Sequence, residues 1–395
     1  MLSFTLACAS WASSARLLTS QQSDLPMAAV RTTTPIASAR ISRRSAVGLG
    51  SASAAATLLT PPAVAGANDV YVPVAGSAKG KTILITGANT GLGLESAKRL
   101  AVAGATVIAT ARTEAKAAAT LEQIKAAAPG AAVSAVVLDL GSLESVKGFP
   151  ARLEATIGAG KAIDVLMNNA GVMAIPERLT TSDGYERQVG VNHLGHFALV
   201  SVLLPSLRRA RDGFRVINVS SEGHRFATAD AMRAALERDL DPPEYSQWGA
   251  YGLSKAANVL FATELQRRLD AAGVAASAVS LHPGAVQTEL GRYLVQGVAD
   301  AEAGVPLQSS YEKFNPLQRA ALKGLSALVL TVDKGANTQV YLAVGADSGG
   351  NLARDGGLYF NDMKVATPES YTQDATLGKR LWDVSEKLTG LKIAF

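Results

Sequence analysis

Tyr251 and Lys255, in the stretch Trp248-Gly-Ala-Tyr-Gly-Leu-Ser-Lys, stand four residues apart, which puts them on one face if the segment is helical. A phenol with an ordinary pKa near 10 needs roughly 4 kcal/mol favouring its anion to titrate near 7. A cation at about 4 Å supplies a comparable amount at an effective dielectric of about 20. The pair can therefore exchange a proton with a bound oxygen, Lys255 lowering the pKa of Tyr251. Apolar residues at Leu253, Ala257, Leu260, Phe261, Leu265 and Leu269 predict a helix with one side on a sheet and its Tyr/Lys side toward a cleft.

Such a pair needs a partner molecule, and the segment from Lys81 to Leu100 predicts one. An apolar strand runs into Thr86-Gly87-Ala-Asn89-Thr-Gly91-Leu92-Gly93 and then into an amphipathic helix. Glycines at that offset let a backbone turn sharply and approach a pyrophosphate, which free N–H groups and the helix dipole then hold. The next strand ends at Ala111-Arg112. Enzymes that use NAD(H) place a carboxylate there for the ribose 2′-hydroxyl, whereas an arginine holds a 2′-phosphate, so Arg112 predicts NADP(H) over NAD(H).

Strand-like runs at 82–86, 106–111, 133–139, 163–167, 215–219 and 275–281 alternate with helical patterns. That rhythm indicates βαβ units and a parallel sheet covered on both faces. The expected fold class is α/β: a single doubly wound Rossmann domain over 80–395, preceded by a linker at 66–79 and a cleavable targeting leader at 1–65. Two segments break the rhythm, 222–249 and 287–319. Both adjoin the C-terminal edge of the sheet, where open α/β folds bind ligands, and are expected to be substrate-side loops.

The leader holds Arg16, Arg31, Arg40, Arg43 and Arg44 against Asp24 alone, so most of the formal charge of +5 belongs to it and the remainder is near neutral. Nothing there supports a nucleic-acid surface. Ser, Thr, Ala and Arg richness fits an organelle transit peptide. Arg43-Arg44, the small apolar stretch 45–60 and Ala63-Val64-Ala65 resemble a twin-arginine signal with its cleavage site. Together they resemble a bipartite chloroplast address ending in the thylakoid lumen, with stroma or mitochondrion as the alternatives. Cys8 is the one cysteine and lies in the leader, which excludes disulfides, thiolate catalysis and Cys-ligated metal from the remainder. No continuous apolar run after the leader is expected to span a bilayer.

These motifs, in this order, resemble the short-chain dehydrogenase/reductase superfamily over nearly all of the chain from Lys81 onward. The glycine turn matches its Thr-Gly-x-x-x-Gly-x-Gly form. Asp139-Leu140 ends a strand, Asn168-Asn169-Ala170-Gly171 follows one and Ser220-Ser221 closes another; Asn192 lies in Val-Asn-His-Leu-Gly-His-Phe, and Pro283-Gly284-Ala-Val286-Gln-Thr288 follows the sixth strand. The resemblance implies that Gly87, Asn89, Gly91, Leu92, Gly93, Arg112, Asp139, Leu140, Asn168, Ala170, Gly171, Pro283, Gly284, Val286 and Thr288 line the nucleotide, with Tyr251 and Lys255. It implies catalytic roles for Asn192, Ser221, Tyr251 and Lys255: Ser221 steadies the substrate oxygen, Tyr251 exchanges its proton, Lys255 also binds the nicotinamide ribose, and Asn192 holds a water on a proton path. Ser220 is expected to be structural. His193, His196 and His282 lack the spacing of a metal set and are expected to pack or bond to backbone.

Within the superfamily, the Asn-Asn-Ala-Gly-Val-Met-Ala and Trp248 to Lys255 stretches resemble the retinol dehydrogenase-like and WW-domain oxidoreductase-like branch. That implies a small lipophilic carbonyl or alcohol as substrate, with peripheral membrane association and a homo-oligomer as open expectations. Protochlorophyllide reductase is the nearest rival, but Asn169 and Gly171 and the absence of later cysteine depart from its pattern. A nucleotide-sensing subunit of a plastid membrane complex is the rival from another class.

Overall fold

Strands buried on both faces must be mostly apolar, and the central strands of this chain are. A computed structural model describes residues 69–286, 288–305, 309, 329–344 and 356–395. The leader, residues 66–68 of the expected linker, and Gln287 and most of 306–319 within the second expected loop lie outside the described residues.

The strands are β1 (Thr82–Ile85), β2 (Thr106–Ala111), β3 (Val133–Val137), β4 (Val165–Asn168), β5 (Phe214–Val219), β6 (Ala276–His282), β7 (Tyr359–Asn361) and β8 (Lys364–Ala366), in the order β3-β2-β1-β4-β5-β6-β7-β8. The first seven pair in parallel, and β8 returns antiparallel on β7. The last two strands were not expected: each is three residues long, too short for a periodic signal. Leu84, Ile108, Leu166 and Val216 enter one core beneath the sheet, while Ile83, Ile85, Val107 and Met167 enter the other. The strand order reverses between β1 and β4, the crevice where such sheets take ligands.

Five helices matter to the site or its support: α1 (Gly91–Val102), α2 (Glu114–Ala127), α3 (Gly195–Leu207), α4 (Gln247–Ala271) and α5 (Arg292–Glu302). The C-terminal helix α6 (Ala375–Thr389) starts at an Asp374 cap and ends at Gly390 in the left-handed region, φ +64°. The expectation of a two-sided α4 is corrected, because it is buried without a break from Ala250 to Ala262. The reason is α6, whose Trp382 lies edge-on to Phe197, tilted on Phe261, and 4.2 Å beneath the Arg268 guanidinium.

Three further expectations need correction. From Asp69 onward the supposed linker is docked: Tyr71 N–H donates to Asn337 Oδ1 at 2.9 Å, Arg99 Nη1 donates to the Tyr71 carbonyl, and the Tyr71 ring is buried. The interval 222–249 is mostly helical rather than loop, with a 3₁₀ turn at Glu222–Phe226, a helix at Ala229–Leu236 capped by Thr228, and the start of α4. Finally, Arg187–Leu207 is long and apolar enough to cross a membrane by length and composition, but its apolar window is 72% buried within the fold, the mark of a core helix.

Candidate active site

Gly87 and Gly91 adopt φ +61° and +54°, which side chains disfavour, and the turn they make brings its backbone against the next strand. A methyl on Gly93 would sit 2.5 Å from both the Gly87 carbonyl and Asn169 Nδ2. Thr86 is the hub of this corner: its hydroxyl accepts from the N–H groups of Asn169 and Ala170 at 2.9 Å, and His196 Nε2 lies 2.9 Å away. Thr90, the residue before α1, makes no side-chain cap bond, so the first N–H groups of the helix are free to meet an anion. Close backbone approach and free donors fit a dinucleotide pyrophosphate in this groove.

The expected nucleotide residues line this groove unevenly. Gly87 packs on Ala170, whose Cβ a methyl there would meet at 2.9 Å, and a methyl on Gly91 would meet the Thr288 side chain at 3.4 Å. Asn89 and Leu92 lie half-buried on the glycine turn and the first turn of α1. Asp139 Oδ1 accepts from Gly141 N–H at 2.9 Å. Leu140 is buried, and its carbonyl would be 2.5 Å from a methyl on Gly195, so α3 can approach only through that glycine. Asn168 departs from expectation as a side chain: it is 1% exposed and donates to Asn218 Oδ1 at 2.8 Å across β4 and β5, so it serves the sheet. Pro283 is half-buried; Gly284 takes φ +87°, and Val286 bridges to Leu330. The Thr288 hydroxyl accepts from Leu290 N–H at 3.2 Å, capping the turn that follows.

Arg112 is exposed just past β2, and Lys116 follows it on the first turn of α2, where Thr113 caps the helix. Burial, then the neighbouring Arg112 and Arg292, hold the Lys116 ammonium below its usual pKa, while Glu289 opposes them. Lys116 and Arg292 were missed from sequence. The spacing of Arg112 and Lys116 across a helix start was available as a signal for the first, but nothing in the sequence brings Arg292 to them.

Asn192 sits in a π-helical turn, Gly190–Leu194. Its side chain accepts from Val172 N–H at 2.8 Å and donates to the Val172 carbonyl and to Ser254 Oγ at 2.9 Å. Ser254 in turn donates to the Tyr251 carbonyl, 2.7 Å away. The side chain therefore locks the Gly171–Val172 segment to α4. The Asn192 carbonyl is 2.9 Å from His196 Nδ1, completing a chain from α4 through His196 to Thr86. Sequence reading did not foresee Ser254 or this relay.

Tyr251 and Lys255 are each 3% exposed. Ser221 lies close enough to the Tyr251 hydroxyl to draw its pKa down, and the Tyr251 ring lies where a methyl on Gly223 would be 2.7 Å away. Ser221 Oγ accepts from Gly223 N–H at 3.0 Å. Ser220 is turned inward, donating to the Lys255 carbonyl at 2.7 Å, a structural role. Lys255 Nζ donates to the Val219 carbonyl at 3.0 Å and lies 5.8 Å from the Tyr251 ring centre.

The expected lowering of the tyrosine pKa is not what this geometry produces. Burial pushes the Tyr251 phenol up to about 12, with the Ser221 hydrogen bond opposing, and burial brings Lys255 down to about 8. The ammonium points at a backbone carbonyl rather than at the phenol oxygen, so desolvation outweighs attraction. At neutral pH the pair is a protonated phenol beside an ammonium, arranged to donate a proton. Lys255 is charged below about pH 8 and neutral above it. Carbonyl reduction, which leaves a phenolate on Tyr251, should therefore lose kcat/KM by about tenfold per pH unit above about 8. A profile flat to pH 10 would remove the lysine charge from the mechanism.

The histidines bond within the fold. Burial holds His193 at about 3 and His196 and His282 at about 4, so all are neutral. His282 Nδ1 accepts from the N–H groups of Glu222 and Gly284, bracing the strand end beside Ser221. Among the described residues no cluster could hold a metal ion.

Residues 81–231 match the family described as short chain dehydrogenase. Retinol dehydrogenase 13 of Homo sapiens is 36% identical over 344 residues, covering 87% of this chain and 94% of that protein. This chain belongs to the short-chain dehydrogenase/reductase family. It is an oxidoreductase of a family that uses nicotinamide nucleotides. Short-chain dehydrogenase TIC 32 B, chloroplastic, of Brassica napus is 35% identical, covering 79% of this chain and 89% of that protein. An uncharacterised protein from Mycobacterium Paratuberculosis shares the fold with a TM-score of 0.58 at 32% identity, covering 83% of this chain and 98% of that chain.

Proposed function

We propose that this chain is an NADP(H)-dependent reductase of small lipophilic carbonyl compounds. The observation that carries the reading is the buried Tyr251 and Lys255 pair, the ammonium 5.8 Å from the phenol ring, with Ser221 beside it on the Gly223 turn that abuts the same ring. When bound, the nicotinamide supplies the hydride. Arg112 and Lys116 would hold its 2′-phosphate, the α1 N-terminus its pyrophosphate, and Thr288 its carboxamide. Ser221 steadies the substrate oxygen, Tyr251 donates the proton to it, and the Lys255 charge stabilises the phenolate left behind.

Apolar and aromatic walls support a lipophilic substrate. Phe226, 46% exposed, packs edge-on to Trp248 at 5.7 Å, and Trp248 edge-on to Tyr251 at 6.3 Å, a series running from the surface to the reacting hydroxyl. On the other side Val172, Ile175 and Tyr293 form a small apolar cluster.

The test is NADPH oxidation by the full chain against retinoid, quinone and steroid carbonyls, beside the Trp248→Ala variant. Turnover of at least one apolar carbonyl is expected, with KM raised about tenfold in the variant, the loss of about 1.4 kcal/mol of aromatic contact, and the NADPH Kd unchanged. NADPH binding without turnover of any carbonyl would favour a sensing subunit instead. Faster oxidation of NADH than NADPH would overturn the cofactor assignment.

A further inference from the structure

The peptide unit that joins Ser221 to Glu222 is held at both ends by histidine rings. Its carbonyl, that of Ser221, accepts from the His224 N–H at 3.0 Å and lies 2.7 Å from His224 Nδ1. Its N–H, that of Glu222, donates to His282 Nδ1 at 3.1 Å. The chemistry of the partners fixes the hydrogen on each ring. A carbonyl only accepts and a peptide N–H only donates, so His224 carries its hydrogen on Nδ1, whereas His282 Nδ1 is bare. The remaining nitrogens agree: Glu369 N–H donates to His224 Nε2 at 3.1 Å, and His282 Nε2 faces the Glu222 carboxylate at 3.7 Å. Two opposite tautomers grip one peptide plane.

Each ring is anchored in a different element. His282 ends β6, and its Nδ1 also accepts from Gly284 N–H at 3.3 Å, in the loop expected to line the nucleotide. His224 lies in the 3₁₀ turn at Glu222–Phe226, 5.4 Å from the Tyr359 ring on β7, and the segment after β8 closes over it. There the Tyr371 hydroxyl reaches the His224 and Ala227 carbonyls, while Arg225 joins Glu222 to Glu369 and donates to the Thr367 carbonyl at 3.1 Å. Burial of both rings, aided by Arg225, outweighs the pull of Glu222 on each and of Glu369 on His224, and keeps both neutral at neutral pH. Protonating either would set N–H against N–H, at Glu369 for His224 and at Glu222 and Gly284 for His282.

We propose that His224 and His282 are positioning residues for Ser221, a pair of opposite tautomers that fixes the Ser221–Glu222 peptide and so aims the serine hydroxyl at the substrate oxygen. The inference rests on the reading of Ser221 above. The link to the hydroxyl is short. Ser221 Oγ accepts from Gly223 N–H at 3.0 Å, which occupies a lone pair and leaves its O–H to donate. Turning the 221–222 peptide would swing Gly223 N–H away from Oγ and free the side chain to leave its rotamer.

Two measurements on the full chain test the clamp. The first is the imidazole nitrogen NMR spectrum, in which the sequence has only four histidines and the His224→Asn and His282→Asn variants assign both rings. His224 should show the Nδ1–H tautomer and His282 the Nε2–H tautomer at neutral pH. Either ring in the other tautomer, or protonated, overturns the proposal. The second is a double-mutant cycle on NADPH-dependent reduction of an apolar carbonyl, combining His224→Leu or His282→Leu with Ser221→Ala. Each Leu substitution alone should lower kcat by about 3- to 10-fold, the effect of one lost hydrogen bond. In the Ser221→Ala background the same substitutions should lower it by less than about twofold, because a ring that acts only through Ser221 has nothing left to position. Asn at either site offers an amide group near the Nδ1 position and should turn over faster than Leu. Retained NADPH binding shows that a variant is folded. Where a Leu variant does not fold, the Asn variant takes its place in the cycle, and the tautomers are still read on the wild-type chain.

Equal losses in the two backgrounds would mean that the rings serve the fold rather than Ser221, and would overturn the proposal while leaving the role of Ser221 standing. Turnover by both Leu variants within about twofold of wild type would overturn it as well. Unchanged kcat in Ser221→Ala, or a wild-type chain that reduces no carbonyl, would overturn the reading of Ser221 itself, and the proposal with it.

Discussion

Replacing Tyr251 with Phe should cut carbonyl turnover by about 10³-fold or more while leaving NADPH affinity within about twofold. A positioned proton donor contributes typically 10²- to 10⁴-fold, and the buried phenol is the group placed for that task. The substitution removes one oxygen and keeps the ring that Gly223 and Trp248 hold, so packing should survive. Ser221 keeps its bond from the Gly223 N–H. Single-turnover kinetics with preloaded NADPH separates the chemical step from binding. Retention of more than a tenth of wild-type turnover would show that another group delivers the proton.

The Gly93→Ala variant should bind NADPH and NADH about 10- to 100-fold more weakly, with the fold intact. Its methyl would meet the Gly87 carbonyl and Asn169 Nδ2 at 2.5 Å, well inside contact distance. Overpacking of this kind costs roughly 1–3 kcal/mol. Asn169 Nδ2 is also bonded to the Thr86 carbonyl at 2.8 Å, so it cannot withdraw without loosening the hub that positions the turn. The strain should be relieved by displacing the glycine turn, the surface on which the pyrophosphate would lie. Calorimetric titration with both nucleotides checks this, with circular dichroism as the folding control. Near-native affinity would mean that the phosphates do not approach this backbone.

The two predictions differ in how readily sequence could have led to them. Gly93 is marked by spacing: glycines at fixed offsets between an apolar strand and an amphipathic helix have few other uses, so its place was readable at once. The same holds for the six longer strands, whose continuous apolar runs admit little besides a sheet buried on both faces. β7 and β8 are three residues long, and their pairing depends on where β6 ends, so no local pattern exposed them. The α4 prediction failed for a related reason. Its far side is covered by α6, more than a hundred residues further along the chain, and that contact is invisible to a window of one helix.

The site divides in the same way. Residue types and order marked the glycine turn, Ser221, Tyr251, Lys255 and Arg112 as candidates, and the fold gathers Ser221, Tyr251 and Lys255 at the end of β5 and the start of α4. Their charge states were another matter. Spacing alone placed an ammonium beside a phenol and implied an acidified tyrosine, whereas the fold buries both groups and turns Lys255 toward Val219, so the phenol keeps its proton. Likewise Asn168 was marked for the nucleotide but faces Asn218 in the sheet. Covalent order and apolar periodicity are properties of the chain and survive unfolding. Desolvation, the direction of a side chain and the meeting of distant residues exist only once the core has closed around them.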